Sequence, residues 1–264
     1  MNKLMFTGPQ ISALKTIFNI DGLINRIKTL EEKLAKPQLE DLWRIEFVEL
    51  EPGFKPESKY TTDAGHDLKI RPTELNVPAI EIISQYLLAY DFELALNALP
   101  PLYKNGVKYE WHDYFVEDRL TILTDLLELV TKEPVVCLTS KHYRFTDKDK
   151  TSDLVGCGFK VALPDLSVIP GWTSVMLATP RSGLGIKCKL HLSNTIGVID
   201  QQYRDELKLS LDNDGTGVHI FTKGARVAQA LIMPCMSLLG QDTQVVNTLD
   251  ETERGEKGFG SSGV

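Results

Sequence analysis

Apolar positions recur with two distinct periods along this chain, and the change of period divides it. Leu23, Ile27, Leu30 and Leu34 follow spacings of four, three and four, the stripe of one helix that ends near Pro37. Trp43, Ile45 and Phe47 then alternate with polar residues, which predicts a strand over Trp43 to Leu50. From Pro78 the helical spacing returns in Ile80, Ile83, Leu87 and Leu88. A further stripe, Leu120, Leu123, Leu127 and Val130, starts after Asp118 and stops before Pro134. Pro100, Pro101, Asn105 and Gly106 break the stretch between these two helices.

After Pro134 the period shortens. Val135 to Leu138, Phe159 to Leu163, Val175 to Leu177, Ile186 to Leu192 and Glu206 to Leu211 are short β-like runs separated by Gly, Pro, Asp and Asn. Ile186, Cys188, Leu190 and Leu192 are expected on one face of their strand, with Lys187, Lys189 and His191 on the other. Many short strands at this spacing predict a mainly β sandwich or barrel. The chain therefore divides into an N-terminal helical extension (1–40), a β domain in two pieces (41–72 and 134–264) and a helical insertion (73–133).

Composition narrows the classes. Of 264 residues, 42% are hydrophobic and 25% charged, which excludes disordered and fibrous chains. The net charge of -7 argues against a nucleic-acid binder that relies on phosphate contacts. The longest nearly apolar run, Ala230 to Leu239, is too short to span a bilayer, which needs about 20 residues. No membrane association is expected. No signal-peptide pattern opens the chain, so the expected compartment is the cytoplasm. Cys137, Cys157, Cys188 and Cys235 lie far apart with no Cys-x-x-Cys pair, as buried or idle thiols rather than zinc ligands do.

Three segments carry chemistry on their own. The tail Arg254-Gly255-Glu256-Lys257-Gly258-Phe259-Gly260-Ser261-Ser262-Gly263 combines glycines, cations and hydroxyls as a phosphate cradle does, although it is not a Walker loop. Pro180-Arg181-Ser182-Gly183-Leu184-Gly185 reads as a tight turn between strands, presenting a guanidinium, a hydroxyl and backbone donors. In the stretch Asn194 to Glu206, Asp200 follows two β-branched residues and precedes Tyr203, a placement that suits a base for an attacking water.

Taken with Ala64-Gly65-His66-Asp67-Leu68 and Gly224-Ala225-Arg226-Val227-Ala228-Gln229, these segments in this order resemble the five motifs of the trimeric dUTP diphosphatase (dUTPase) family. The resemblance covers roughly residues 43–72 and 135–264. It implies a jelly-roll-like β domain, a homotrimer with sites at subunit interfaces, and hydrolysis of dUTP to dUMP and diphosphate with Mg2+ on the triphosphate. Asp200 would deprotonate the water that attacks the α-phosphorus. Tyr203 would pack under the deoxyribose and exclude a 2′-hydroxyl. Gly197, Val198, Ile199 and Lys208, with Asn194, would read the uracil edge. Arg181, Ser182 and Gly183 would hold phosphates, and Gln229 would add a polar contact near the α-phosphate. Asp67 would meet the metal through water. The tail, with Gly258, Phe259, Gly260 and Ser261 binding substrate, would close over the nucleotide, Phe259 stacking on uracil and Arg254 reaching the terminal phosphates.

Two departures stand out. Asp205 follows Tyr203-Arg204 where the family usually has Gly, adding a negative charge near the sugar. The spacing from Asp67 to Pro180 is far longer than usual, resembling bacteriophage-type members with a large insertion. None of the five motifs falls within 73–133, so that stretch is expected to lie outside the phosphate site. The alternatives are a dCTP deaminase of the same fold, and a regulatory protein that binds a partner through the insertion.

Overall fold

A computed structural model describes residues 42–238, 244–253 and 255, together with Gly22 and Asn25. Strands β1 (Glu46–Glu49) and β2 (His66–Lys69) lead into α1 (Val77–Leu88), α2 (Glu93–Ala98), β3 (Leu102–Lys104), β4 (Val107–Lys108), a 3-10 turn at Trp111–Asp113 and α3 (Val116–Lys132). There follow β5 (Val135–Leu138), β6 (Ser152–Gly156), β7 (Phe159–Ala162), β8 (Trp172–Pro180), α4 (Ser182–Cys188), β9 (Leu190–Leu192), β10 (Gly197–Asp200), β11 (Lys208–Asn213), β12 (Val218–Thr222) and β13 (Arg226–Met236). This is the mainly β, jelly-roll-like body with helical insertion that the sequence predicts. The predicted helix over Leu23 to Leu34 falls, apart from Asn25, outside the described residues.

Among the described residues four sheets build the body and its seam with the insertion, in the orders β10-β8-β13-β2, β6-β11-β9, β1-β7 and β4-β3-β12-β5. The last joins insertion to body: β3 runs parallel to β12, with Leu102 opposite Val218. β5 and β12 are buried on both faces. Val136, Leu138 and Phe221 enter the body core, while Val135, Cys137, Val218 and Ile220 enter a second core formed with the insertion helices. Successive side chains on a strand point to opposite faces, so an unbroken apolar run such as Val-Val-Cys-Leu can serve two cores at once. Burial pushes the Cys137 thiol up to about 12 and raises Cys157, so these sulfurs are packing groups.

The insertion helices begin and end for local reasons. Asn76 caps α1, its Oδ1 accepting from the Ala79 N–H at 3.1 Å. α3 carries Glu117 and Asp118 in its first turn and Lys132 in its last, which matches the helix dipole. It stops at Glu133, whose extended backbone suits the residue before Pro134. The buried stripes differ from the expected ones. α1 buries Ala79, Ile82, Ile83 and Tyr86 and leaves Leu88 exposed, whereas α3 buries Arg119, Leu123, Leu126 and Val130. Arg119 replaces Leu120 on the inner face because Tyr114 O and Glu93 receive its guanidinium. Each fully buried Ile or Leu contributes roughly 1.5–3 kcal/mol relative to exposure.

A second correction concerns Ile186 to Leu192, expected as one strand after a tight turn. Ser182–Cys188 is a helix, Lys189 ends it with φ 57, and only Leu190–Leu192 is strand. Leu184 and Cys188, four apart, are its buried pair, while Ile186 is 72% exposed. Two helical turns followed at once by a short strand leave a residual alternation that period-two counting reads as a single strand.

Candidate active site

Asp67, Arg181 and Arg226 form an ion-paired cluster at the end of the β8-β13-β2 region. Arg181 Nε lies 2.9 Å from one Asp67 carboxylate oxygen, and Arg226 Nη1 lies 3.1 Å from the other. Arg181 also donates to the Arg226 backbone carbonyl at 3.4 Å. Gln229 sits opposite Asp67 across the β13–β2 ladder and opposite Thr179 across the β13–β8 ladder. Arg226 and Gln229 are three residues apart, and a regular strand would send them to opposite faces. The register shift between Arg226 and Ala228 takes up the odd residue, so both reach one cavity.

That cavity has a volume of about 700 Å³. Arg181, Ser182, Gly183 and Lys187 line one side, with Asp67, Arg226 and Gln229 beneath. A Cβ built on Gly183 meets nothing within 4 Å, so its backbone is open to a ligand. Gly65 is constrained instead: a Cβ there would lie 2.8 Å from Gln229 Oε1. Asn105, Gly106 and Val107 line the same cavity. This corrects the expectation that 73–133 stays clear of the candidate phosphate residues. The parallel pairing of β3 with β12 brings the β3–β4 turn there, a long-range contact that leaves no local mark in sequence.

The Asp200 segment lies elsewhere. Asp200 ends β10 opposite Val175, exposed, and its carbonyl accepts from the Tyr203 N–H at 3.0 Å. Ile199 is buried and Val198 is 65% exposed. Asn194 is exposed in the turn before Gly197, and Lys208 begins β11 opposite Gly156. Tyr203 donates its hydroxyl to the Glu206 carbonyl at 2.7 Å. Glu206 accepts two-pronged contacts from Arg71 and one from the Gly158 N–H at 2.8 Å, which ties the loop to the body. The Glu206 backbone N–H, then Lys160 at 3.4 Å, hold the Asp205 carboxyl below its usual range. Its charge therefore has a partner on β7.

The register measures how far apart the two groups are. Asp200 is opposite Val175 and Asp67 lies across from Thr179 through Gln229, in a sheet ordered β10-β8-β13-β2. At about 3.4 Å per residue and about 4.8 Å per strand, each offset is roughly 14 Å and the separation roughly 20 Å. One chain thus brings Asp67, Arg181, Ser182, Gly183 and Gln229 together and keeps Asp200 far from them, and none of Asn194, Gly197, Val198, Ile199, Tyr203 and Lys208 lines their cavity. Arg254, Gly258, Phe259, Gly260 and Ser261 lie outside the described residues. Arg226 and Lys187 had a sequence signal, since both sit in or beside the matched segments; Asn105 and Gly106 had only that of a turn.

Two places bear on a metal. Both Asp67 oxygens are engaged by guanidinium groups, yet each carboxylate oxygen keeps acceptor capacity. Such a group fits contact through the waters that Mg2+ retains, not direct chelation. Elsewhere, His191, Asp212 and Asp214 bring ligand atoms within 4.8 Å of one another, a cluster able to coordinate a metal ion. Lys141 already bonds both carboxylates there, and Asp214 raises the His191 pKa through its hydrogen bond. A nitrogen donor beside a resident ammonium is a poor match to the all-oxygen preference of Mg2+.

Comparison with known proteins bears on this geometry. The dUTPase family pattern matches residues 165–263. The deoxyuridine 5'-triphosphate nucleotidohydrolase of gamma-proteobacterium EBAC31A08 is 40% identical over 114 residues, 43% of this chain and 76% of that protein. The enzyme of the same name from Rickettsia canadensis is 40% identical over 111 residues, 42% of this chain and 68% of its own. The chain belongs to the dUTPase family. Among solved structures, the dUTPase of Staphylococcus bacteriophage 80alpha with dUPNHPP aligns over 84% of this chain and 99% of its own, at 20% identity and a TM-score of 0.48. None of the described helices is long and apolar enough to cross a membrane.

Proposed function

We propose that the protein hydrolyses dUTP to dUMP and diphosphate, with water activated by Asp200 attacking the α-phosphorus. The observation that carries this reading is the division of the site. A cavity lined by Lys59, Arg181, Lys187 and Arg226 beside Glu57, Asp63 and Asp67 is held by one set of strands, and an exposed carboxylate with no ion pair among the described residues by another. Phosphoryl chemistry needs charge neutralisation and alignment on one side and a single base on the other. A base must come within hydrogen-bond reach of its water, so a separation of roughly 20 Å supports halves drawn from different copies of the chain. Exposed apolar residues on the same strands, Trp172, Val198, Met233 and Met236, support burial between copies, and a homotrimer is the assembly that fits the family.

In this reading Arg181, Ser182, Gly183 and Gln229 hold the phosphates. The hairpin from Asn194 through Gly197, Val198 and Ile199 to Lys208 reads the uracil edge, and Tyr203 supports the deoxyribose. Arg254 reaches the terminal phosphates, with Phe259 stacked on uracil between Gly258, Gly260 and Ser261. Mg2+, when bound, neutralises triphosphate charge, and Asp67 meets it through water. The test is diphosphate release from dUTP, dTTP, dCTP and UTP, with and without Mg2+, alongside light scattering for subunit number. Release from dUTP alone by a trimer is expected. Ammonia release from dCTP, or no turnover of dUTP, overturns the reading.

A further inference from the structure

We infer that the Asn105–Gly106 turn of the insertion is a positioning element of the phosphate cavity, setting the helix that carries Ser182 and Gly183 through contact with Leu184. This rests on the reading above and adds to it a part of the chain that contains none of the matched motifs.

The turn is rigid for local reasons. β3 and β4 pair with Tyr103 opposite Lys108 and Lys104 opposite Val107, so Asn105 and Gly106 alone make the connection. Their φ values are 51 and 82, the left-handed pair that a type I′ turn needs and that Asn-Gly supplies with least strain. The tip is also fastened to the body. Asn105 Oδ1 accepts from the Thr222 N–H at 2.9 Å, its Nδ2 donates to Thr222 Oγ1 at 2.9 Å, and its backbone N–H donates to Ile220 O at 2.9 Å. β12 thus holds the turn at two points, Ile220 and Thr222.

Fastened in this way, the turn presses on α4. A Cβ at Gly106 would lie 2.6 Å from Leu184 Cδ2, so a side chain there must displace Leu184. Leu184 is buried and anchors the first turn of the helix, next to Gly183 and two residues beyond Ser182. At the other end of the helix, Cys188 Sγ lies 3.8 Å from the Gly106 carbonyl. The turn therefore touches both buried residues of a seven-residue helix whose Ser182, Gly183, Leu184 and Lys187 line the cavity. A helix this short has little cohesion of its own, and its placement depends on what it packs against. Moving reacting groups by about 1 Å can cost about a hundredfold in rate, so a wall that fixes Ser182 and Gly183 influences how phosphates are held.

The test uses the full-length protein and two substitutions. Gly106→Ala should raise KM for dUTP about fivefold, and weaken binding of inorganic diphosphate by a like factor in calorimetry, with kcat per folded trimer within about twofold. Loss of folded protein lowers the apparent maximum rate but leaves KM unmoved, so this split separates positioning from plain destabilisation. Adding Leu184→Val to Gly106→Ala should bring KM part of the way back toward wild type, because it withdraws the atom that the new Cβ meets while the strain of Ala at φ 82 remains. Should Gly106→Ala fail to fold, Asn105→Gly keeps the turn conformation while removing the side-chain bonds to Thr222, and a rise in KM of about twofold to threefold is expected. Unchanged KM and diphosphate affinity in a folded variant, or a double variant no better than Gly106→Ala, overturns the inference. Wild-type protein that binds diphosphate but leaves dUTP intact refutes the proposed reaction and not the role of the turn; wild-type protein that binds no diphosphate refutes the turn's role.

Discussion

The two halves of the candidate site are built in opposite ways. The cavity half is crowded with charge that is already paired: Asp67 between Arg181 and Arg226, behind a wall supplied by the insertion. The Asp200 half is a short edge strand whose carboxylate is exposed and has no salt bridge among the described residues. Binding a polyanion favours cations locked in place beforehand, so that little ordering remains to be done on binding. A general base must instead remain available to a water that arrives with the substrate. The difference teaches where each kind of mutation should act: on affinity in the first half and on turnover in the second.

The largest expected effect follows from the second half. Asp200→Asn keeps the shape of the side chain but cannot take the proton, so kcat should fall by about 10²–10⁴ while the melting temperature holds. Wild-type-like kcat would remove Asp200 from the mechanism. The comparison sharpens if Asp200→Asn and Arg181→Ala chains are co-expressed. With halves drawn from different chains, about a quarter of sites in random mixed trimers regain both intact residues and activity returns. Mixed trimers as inactive as either parent would place both halves of each site on one chain.

Next comes acidification, which should strike the cavity half through its support. His219 lies on β12 between Tyr103 and Phe221, with ring centroids 4.3 and 6.1 Å away, and neither ring nitrogen has a hydrogen-bond partner among the described residues. Burial pushes its pKa down to about 4. The unfolded chain takes up this proton at higher pH than the folded one. Stability is therefore fully present above about pH 6.5 and is lost as pH falls toward 4, by about 3 kcal/mol. In His219→Phe that part of the loss should vanish, visible as a smaller drop in chemical-denaturation stability between pH 7 and pH 4.5. Parallel curves for the two proteins would exclude His219 as the cause.

A smaller effect is expected from Arg181→Lys. The guanidinium reaches Asp67 with Nε and the Arg226 carbonyl with Nη1, and an ammonium cannot span both while meeting phosphate. KM for dUTP should rise about tenfold, equivalent to about 1.4 kcal/mol, with kcat affected less. If kcat falls as steeply as in Asp200→Asn, the separation of binding from turnover between the halves is wrong.

Much of the body was legible because its signals are local. Val135–Leu138 reads as a strand from four consecutive apolar residues, and Leu207, Leu209 and Leu211 alternate as the structure buries them. Asp67, Arg181 and Gln229 were grouped by motif order, and the structure brings those three together. Tertiary pairing decided the rest. Nothing near Leu102 announces that it will lie beside Val218, so the arrival of Asn105 and Gly106 at the cavity was invisible. α4 was missed because two turns of helix are shorter than the window over which helical periodicity accumulates. The exposure of Asp200 fits its reading as an available carboxylate, but its distance from Arg181 is a property of sheet order, which no stretch of residues encodes alone.

The parallel join between β3 and β12 also sets an order of events in the cell. Asn105 and Thr222, which lock it, are 117 residues apart in the chain. At synthesis rates of about 5–20 residues per second, the first waits roughly 6–25 s for the second to leave the ribosome. During that interval the inner faces of α1 and α3 can cover each other, but the side of their core that Val218 and Ile220 will close stays open to water. The nascent insertion therefore spends many seconds as a sticky half-product, and any nonsense or frameshift allele ending between α3 and β12 should yield aggregates rather than a soluble helical fragment.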